Sequence, residues 1–522
     1  MLAELDTRSD EDYAAPGGVL PATGEGGDTS NAFACSRASF EALVGKLGGV
    51  ASGALEHAEL EAMIDRDGRE LLRLLLQDHL DLRAARETRL DGVTDADGID
   101  RRSAERNHDR VLATVFGEVT VRRIAYRSRG ARNLCPADAD LNLPRERHSH
   151  GLRRLAAIEA SRGSYDEAAA AITRATGVRP AKRQLEQLAL RAATDFAGFQ
   201  AARERAPAEP GDVLVLSCDG KGVVMRPDAL RAPTRTRAAC ATTKLKTRLS
   251  KGEKRNRKRI AEVGAVYDIE PAARTPADVM PAGDDERAQA KEGPRATHKW
   301  LTASVVADAA TVVADIFDEA DRRDPDHARD WVALVDGNNH QIQRIRAEAA
   351  ARDKPVAIVC DFVHVLEYLW KAAWSFHAEA DPAAEQWVRH HARNVLDGKA
   401  TRVAGAIRRQ ATTSALTPKQ REGADICARY LTNKAAYLDY PTALTHGWPI
   451  ATGVIEGACR HLVKDRMDLT GARWGLDGAE AILKLRALRS NDNFDEYWTY
   501  HLAQERRRVH ESRYTDGVIP TA

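Results

Sequence analysis

Residues 331–340 read WVALVDGNNH, an apolar run that stops on Asp336 and is followed by Gly337 and two asparagines. A run of Val, Ala and Leu predicts a buried strand, whereas an Asp-Gly pair by itself is typical of an exposed turn. The same pattern recurs in DVLVLSCDG, where Asp219 follows the strand, and in PVAIVCDFVH, where Asp361 does. Three apolar strands that each end in an aspartate favour a shared site over three unrelated turns.

The composition is that of a globular protein. The chain has 522 residues, of which 43% are hydrophobic and 30% charged, with a net charge of +1. This length is enough for two or three domains with their own cores. We expect a cytoplasmic protein, because no apolar run has membrane-spanning length and no signal peptide is evident. The seven cysteines lack zinc-site spacing, which indicates reduced thiols.

The N-terminal third is predicted to be a DNA-binding region over 51–205, after an acidic, disordered stretch over 1–50. It begins with an amphipathic helix over about 55–87 and continues with a β-hairpin around Gly117. A helix-turn-helix is then predicted over about 163–190. An ordinary helical hairpin with a basic surface is an equally good interpretation of that segment. The second helix of the motif starts with the residues expected to contact DNA, Lys182, Arg183 and Gln184.

A dense basic run, KLKTRLSKGEKRNRKR, occupies residues 244–259 and contains Glu253 as its single acid. Such a run is often a solvated loop, but this density favours a polyanionic partner. The basic residues that we expect to contact DNA phosphates are Lys244, Lys246, Arg248, Lys251, Lys254, Arg255, Arg257, Lys258 and Arg259.

Beyond residue 206 the pattern predicts an α/β domain. The expected order is a strand over 212–218, a tight Asp-Gly turn with KGVVMR after it, a strand over 262–269, a loop over 270–298, a helix over 301–320, a strand ending at Asp336, a helix over 338–352, a strand over 356–360, and helices to the end. This is the element order of the RNase H-like fold, in which the first strand lies beside the fourth. The predicted parts are a catalytic core over 206–375 with a basic loop over 227–260, a helical insertion over 376–450, final core helices over 451–510 and a flexible tail over 511–522.

A third acid for the proposed site is Glu456, in GVIEGACRHLVKDRM. A helical glutamate commonly pairs with a basic residue one turn later, here Arg460, on a solvated face. Because small and apolar residues flank Glu456, we expect it to be buried near a charged group instead. Phosphodiester chemistry uses two divalent metal ions bridged by carboxylates, and Asp219 with Asp336 would provide the core of that site.

Five blocks, SCDGKG, LVDGNNH, DFVHVLEYLW, GVIEGACRHLVKDRM and GARWGLDGAEAILKLRALRSN, resemble the motifs of DDE transposases from bacterial insertion sequences. The similarity is to the ISKra type, which is related to the Mutator-like superfamily, and it covers roughly 210–510. It implies that Asp219, Asp336 and Glu456 are the catalytic acids and hold two Mg²⁺ or Mn²⁺ ions.

The resemblance also implies supporting residues. The family's Cys/Asp-x-x-His signature falls on Asp361 and His364, and Arg460 is assigned to site support with them. Asp361 is alternatively a helix N-cap or the second metal ligand in place of Asp336, and His364 a packed core histidine. Trp474 matches a family tryptophan that would stack on DNA bases, although burial in the core is an equal alternative.

The function that the resemblance implies is that of a transposase. It would bind the terminal inverted repeats of an insertion sequence and catalyse Mg²⁺-dependent strand cleavage and strand transfer. The partners would be double-stranded DNA at the element ends and the target, and a second subunit in a homodimer or larger synaptic complex. No membrane and no small-molecule cofactor are expected, and the protein would associate with the bacterial nucleoid. The alternatives are an RNase H-like nuclease without joining activity and an inert DNA-binding regulator.

Overall fold

The structure is a computed structural model that describes residues 32–204, 211–240, 257–469 and 471–521. The chain divides into two compact units. Unit 1 combines Met1–Ser149 with Arg506–Ala522, and unit 2 is His150–Glu505. This division differs from the predicted boundary at 205/206, because the predicted helix-turn-helix segment is part of unit 2.

Unit 1 contains the predicted long helix and hairpin. The hairpin strands are antiparallel and meet at the pair Thr114 and Gly117, where Gly117 has a φ of 119° that only glycine adopts readily. The elements are α1 Ala34–Gly48, α2 His57–Arg86, β1 Val93–Thr94, β2 Asp100–Arg101, β3 Ser103–Thr114, β4 Gly117–Arg127 and α3 Pro136–Asp140.

Two predictions for the chain ends are corrected in unit 1. The disorder predicted for 1–50 is wrong over 34–48, which form α1, and residues 1–31 lie outside the described residues. The tail predicted to be flexible over 511–522 contains Tyr514, which is buried and forms an isolated bridge with Asp95. The apolar ring of Tyr514 explains the difference, because it packs with Val93 and Tyr126 in a small core.

Unit 2 begins with four helices, and the second and third of them occupy the segment predicted to be a helix-turn-helix. The second of these four helices, Tyr165–Thr176, begins with a capping box formed by Ser164 and Glu167 and ends at Gly177, whose φ is 75°. The DNA-binding role of the segment stays a prediction. The helices are α4 His150–Arg162, α5 Tyr165–Thr176, α6 Lys182–Ala192 and α7 Phe196–Ala202.

A five-stranded mixed sheet forms the centre of unit 2. Its strands are β5 Val213–Val224, β6 Lys258–Ile269, β7 Ala296–Ser304, β8 Trp331–Val335 and β9 Ala357–Cys360. They lie in the order β7-β6-β5-β8-β9. β6 is antiparallel to both β5 and β7, whereas β8 is parallel to both β5 and β9. The predicted neighbourhood of the first and fourth strands is therefore confirmed.

The predicted turn at Asp219-Gly220 is wrong. β5 continues through both residues and pairs with β6 from Val213 and Ile269 to Val224 and Lys258. Continuous ladder hydrogen bonds outweigh the local turn preference of an Asp-Gly pair. Residues 221–224, which a turn would have placed in a separate strand, are the end of β5, so the basic segment lies between the first and second strands of the sheet. The predicted basic loop over 227–260 includes a helix and the start of β6.

The helix predicted to begin at Leu301 is also wrong over its first residues. Residues 301–304 belong to β7, where Trp300 and Ala303 are buried. The helix begins after Asp308, whose side chain accepts a hydrogen bond from the backbone N–H of Thr311. The helices between β5 and β8 are α8 Ala232–Cys240, α9 Pro276–Val279, α10 Asp284–Gln289 and α11 Ala309–Arg323.

Helices follow β8 and β9 to the end of unit 2, as predicted for the insertion and the final core. They are α12 Asn339–Ala351, α13 Phe362–Ala373, α14 Pro382–Leu396, α15 Ala400–Thr413, α16 Glu422–Asn433, α17 Tyr440–Thr445, α18 Gly453–Ala458, a π-helical segment Cys459–Lys464, α19 Asp465–Met467, α20 Leu476–Ser490 and α21 Phe494–Val509. One apolar cluster joins β5, β8 and β9 to helices α11–α17, and another joins β6 to α4, α6 and α18–α20. Among the described residues, no helix is long and apolar enough to cross a membrane.

Candidate active site

Asp219 and Asp336 lie at the same level of neighbouring strands. β5 and β8 are paired in parallel as far as Ser217 and Leu334, and the two aspartates each follow two residues later. Side chains two residues apart on a strand point to the same face, so both aspartates extend from one face of the sheet. Asp219 is still inside β5, whereas Asp336 directly follows β8.

A tight turn holds Asp336 in place. Its carboxylate accepts a hydrogen bond from the backbone N–H of Asn338 at 2.7 Å, and Gly337 between them has a φ of 94°. The Tyr430 hydroxyl, from α16 in the helical insertion, donates to the Asp336 carbonyl at 3.4 Å. A side chain at Gly337 would meet the same hydroxyl at 3.1 Å. The insertion therefore helps to position this turn.

Asp361 lies level with Asp336 on the neighbouring strand. The residues that precede the two aspartates, Cys360 and Val335, are paired. Asp361 is only 2% exposed, and it accepts a hydrogen bond from the backbone N–H of Val363 at 2.8 Å. The expectation that Asp361 is an N-cap is thus confirmed for α13. Its second carboxylate oxygen accepts a hydrogen bond from the Thr452 hydroxyl. Three strand-associated aspartates therefore lie side by side, but Asp361 is committed to internal partners.

His364 lies one turn after Asp361 and is half-buried, so it is not a core histidine. Its Nδ1 lies 3.2 Å from the Asp361 carboxylate. This hydrogen bond raises the pKa of His364 above its ordinary value, and the charges of Asp361, Glu367 and Asp336 act in the same direction. His364 and Thr452 therefore hold the same buried carboxylate from two elements.

Glu456 does not lie where the sequence led us to expect it. Its side chain is exposed, because α18 turns Ile455, Ala458 and Cys459 towards the core instead. The alternative pair with Arg460 is not formed in the described structure either, since the Arg460 guanidinium lies 3.9 Å from Asp465. The small and apolar neighbours of Glu456 reflect the packing of the opposite helix face.

Cys459 connects Asp219 with the helix that carries Glu456. The Cys459 thiol donates a hydrogen bond to the Asp219 carboxylate at 3.3 Å. Burial raises the pKa of this thiol, and the charges of Asp219 and Glu456 raise it further, whereas Lys221 lowers it. The two predicted catalytic acids thus act on one buried thiol.

The helix changes its winding at this contact. Cys459–Lys464 is π-helical, a feature that often occurs at functional sites. The Arg486 guanidinium, from α20, donates to the carbonyl of Leu462 at 2.9 Å and also to the carbonyl of His461. These bonds satisfy carbonyls in the π-helical segment and stabilise the winding that brings Cys459 to Asp219.

A fourth carboxylate, Glu262 on β6, was missed in the sequence. In the pairing of β5 with β6, Glu262 lies directly opposite Gly220. Burial raises the pKa of Glu262, and Asp219 adds to the rise. Burial also raises the pKa of the Cys218 thiol to about 12, helped by the charges of Glu262, Asp336 and Asp219. The available signal was that Glu262 is a lone acid inside the apolar strand AEVGAVY.

The donor set is suited to a hard divalent cation, because Mg²⁺ prefers carboxylate oxygens. The negative charges of Asp219, Asp336 and Glu262 all act on Cys218, and this shared field would attract a cation. In the part of the chain that the structure describes, no three His, Cys, Asp or Glu side chains are already grouped as a metal site. Closing such a site would require the exposed side chain of Glu456 to turn towards Asp219.

The predicted DNA-binding residues of the helix-turn-helix lie at the start of α6. Lys182 and Arg183 are exposed, and Lys182 forms an ion pair with Asp166 at 2.7 Å. Gln184 has a structural role, since its side chain accepts a hydrogen bond from the backbone N–H of Ala181 at 3.0 Å. Both cations thus lie on the surface, and Lys182 is engaged by Asp166.

The basic run is only partly described. Lys258 is exposed and Arg257 is half-buried. Arg259 donates to the carbonyls of Val305 at 2.6 Å and Ala229 at 3.3 Å, so its predicted contact with DNA is replaced by a structural role. The predicted phosphate contacts that lie outside the described residues are Lys244, Lys246, Arg248, Lys251, Lys254 and Arg255.

The prediction that Trp474 stacks on DNA bases is not supported by its position. The side chain is 6% exposed, and its indole N–H donates to the Met467 carbonyl at 3.0 Å. The Arg466 guanidinium lies over the ring, 4.7 Å from its centre. The Trp474 backbone N–H donates to Val224 at the end of β5. Trp474 is thus a core residue that supports the extension of β5 beyond Asp219.

Comparison with models of known protein families gives no match, and comparison with curated protein sequences gives none.

Proposed function

We propose that this chain is a DDE-type transposase with an RNase H-like catalytic core. The observation that carries the proposal is the position of Asp219 and Asp336 at one level of two neighbouring parallel strands. The strand order, with the first strand between the second and fourth, supports the RNase H-like assignment. The helix bearing Glu456 approaches the same place, because Cys459 contacts Asp219.

In this proposal Asp219, Asp336 and Glu456 would hold Mg²⁺ or Mn²⁺, whereas Glu262 pairs with Gly220 and points to the other face of the sheet. The bound ions would supply Lewis acidity to the attacked phosphodiester. The chain's own residues would do the positioning. The turn at Gly337 fixes Asp336, and Asp361 fixes the start of α18 through Thr452. Exposed cations on α6 would bind the element ends, while hydrolysis and strand transfer occur at the acids.

The test uses the purified full-length chain with DNA from both ends of its own element and Mg²⁺. Gel analysis would resolve nicked, excised and joined products. We expect cleavage and joining with the natural chain, and a loss of at least a hundredfold in Asp219→Asn, Asp336→Asn and Glu456→Gln. Asp326→Asn, which neutralises an exposed acid in the loop before β8, is the matched control and should retain activity.

The products decide between the alternatives. Nicked DNA without joined products would favour a nuclease that does not join. If the natural chain binds DNA but neither cuts nor joins it in Mg²⁺ or Mn²⁺, the proposal fails in favour of a DNA-binding regulator. Full activity in Asp336→Asn together with inactivity in Asp361→Asn would move the second metal ligand to Asp361.

A further inference from the structure

A groove of about 350 Å³ lies beside the candidate active site. One wall is formed by β5 and the start of β6, and the other by the end of the π-helical segment and α19. Lys221 enters it two residues after Asp219, on the same face of β5. The positive charge of Lys221 lowers the pKa of the Cys459 thiol, which is hydrogen-bonded to Asp219. The groove therefore opens next to the predicted catalytic acids.

Three lysines line this groove, one from each neighbouring element. Lys221 is on β5, Lys258 starts β6 and Lys464 ends the π-helical segment, and all three are exposed. Asp468 is the one acidic residue in the groove lining. The three cations give the groove a positive charge, and they come from different elements, with Lys221 and Lys258 on opposite faces of the β5–β6 ladder. This arrangement is suited to a ligand with repeated negative charges.

Ile260 is the exposed apolar residue of the groove lining, at 44%, whereas Val463 and Met467, which also line the groove, are 1% exposed. Ile260 and Lys258 lie on the face of the β5–β6 ladder opposite to Lys221. Gly222 leaves room for the Lys258 stem, because a Cβ at Gly222 would lie 2.9 Å from Lys258 Cδ. An exposed apolar side chain beside a lysine can contact the alternating sugars and phosphates of a nucleic-acid backbone.

We infer that this groove binds one DNA strand adjacent to the phosphodiester that reacts. Its volume of about 350 Å³ is near the lower limit of ligand pockets, about 300–1,000 Å³, which suits one strand better than a duplex. The inference rests on the proposed function for the identity of the polymer as DNA. The three lysines would each neutralise a phosphate, and the glycines and Ile260 would let the strand backbone approach the sheet closely.

The test combines Lys221→Gln, Lys258→Gln and Lys464→Gln in the full-length chain. The probe is a fluorescein-labelled single-stranded oligodeoxynucleotide of mixed sequence, whose Kd is measured by anisotropy over a salt series. Each phosphate contact on a single strand contributes about 0.7 to the slope of log K against log salt. We therefore expect the slope to flatten by about 2, while the slope for a blunt duplex of the same sequence changes by less than half of that.

Two matched triple variants make the result decisive. Lys371→Gln, Lys399→Gln and Lys419→Gln remove the same charge from α13 and the helical insertion, outside the groove, and should leave the single-strand slope unchanged. Lys221→Arg, Lys258→Arg and Lys464→Arg keep the charge and should preserve the natural slope. Thermal unfolding of each variant checks that the fold is intact.

The inference is overturned if the natural chain does not bind the single strand, if the groove and control variants lose the same slope, or if the duplex loses as much as the single strand. Cleavage of the element ends is scored separately. An intact groove effect without Mg²⁺-dependent cleavage would remove the proposed transposase activity and keep the strand-binding groove. Cleavage with an unchanged single-strand slope in the groove variant would keep the proposed transposase activity and remove the strand-binding groove.

Discussion

The Thr452 hydroxyl donates a hydrogen bond to the buried carboxylate of Asp361. Asp361 follows β9 and caps α13, whereas Thr452 immediately precedes α18, the helix that carries Glu456. One hydrogen bond thus joins the edge of the sheet with the start of the helix that carries the third predicted catalytic acid. Asp361 is in this arrangement a positioning residue.

Replacing Thr452 with Val should therefore lower both stability and cleavage. Leaving a buried charged acceptor with one donor fewer costs about 1–3 kcal/mol, measured as the free energy of unfolding in denaturant. The cleavage rate should fall about ten- to a hundredfold, since small misplacements of a reacting group have effects of this size. Thr445→Val, at an exposed threonine, should change the stability by less than about 0.5 kcal/mol. Equal effects of the two variants would remove the positioning role.

The His364–Asp361 contact predicts a pH dependence of stability. The folded-state pKa of His364 is raised by its hydrogen bond with Asp361. Its contribution is therefore fully present below the unfolded pKa, about 6.5, and is lost as the pH rises through the folded pKa. The difference in unfolding free energy between the natural chain and His364→Gln should shrink as the pH rises from about 6 to about 8. His446→Gln, at an exposed histidine, is the matched control, and an equal pH dependence in both variants would contradict the prediction.

Neutralising one of the candidate metal-binding acids should affect the melting temperature differently in chelator and in Mg²⁺. Asp219 and Asp336 extend from one face of neighbouring strands, and two carboxylates placed together disfavour folding in chelator. Asp219→Asn or Asp336→Asn should hold or raise the melting temperature in chelator and reduce the rise on adding Mg²⁺. Asp361→Asn should keep that rise, because the Asp361 carboxylate is occupied by Thr452 and His364. A rise that is lost in Asp361→Asn and kept in Asp336→Asn would exchange their roles.

The two interpretations of Trp474, burial in the core and stacking on DNA bases, predict different effects of a substitution. Trp474→Phe removes the indole hydrogen bond to Met467 and part of the buried volume, and should lower the free energy of unfolding by about 1–3 kcal/mol. The affinity for single-stranded and double-stranded DNA should not change at a temperature where both proteins are folded. A loss of DNA affinity of more than about tenfold without a loss of stability would restore base stacking.

The cations at the start of α6 should determine end recognition. Lys182→Gln with Arg183→Gln in the full-length chain should erase the preference for a terminal repeat over random DNA, since a base contact contributes about 1–3 kcal/mol of discrimination. Non-specific affinity should remain largely intact. Gln184 is left unchanged because it caps the helix. Lys419→Gln with Arg429→Gln, two exposed cations of the helical insertion, is the control. A retained preference in the α6 variant would return this segment to an ordinary helical hairpin.

Several elements could be predicted from the sequence because their signals are local. β8 and β9 are short apolar runs, and the helix break at Gly177 follows from glycine's freedom to adopt positive φ. The signals that failed were local preferences overridden by distant partners. Asp219-Gly220 resembles a turn until β6 pairs along it. Leu301 follows a helical period until β7 joins the same sheet.

The candidate site shows the same limit. The strand-end positions of Asp336 and Asp361 could be predicted, since apolar runs end at both. The exposure of Glu456 could not, because small neighbours indicate close packing without saying which helix face is packed. Glu262 required the register with Gly220, which is a property of two strands separated by the basic segment.

Unit 1 is assembled from both ends of the sequence. Arg506 donates to the Ala139 carbonyl at 2.7 Å, and Tyr514 bridges to Asp95, so its final packing needs residues that the ribosome makes after all of unit 2. At about 5–20 residues per second, the N-terminal part of unit 1 waits on the order of tens of seconds for these partners. During translation unit 2 can fold first, and any early termination before Arg506 would release a folded centre with an incomplete first unit.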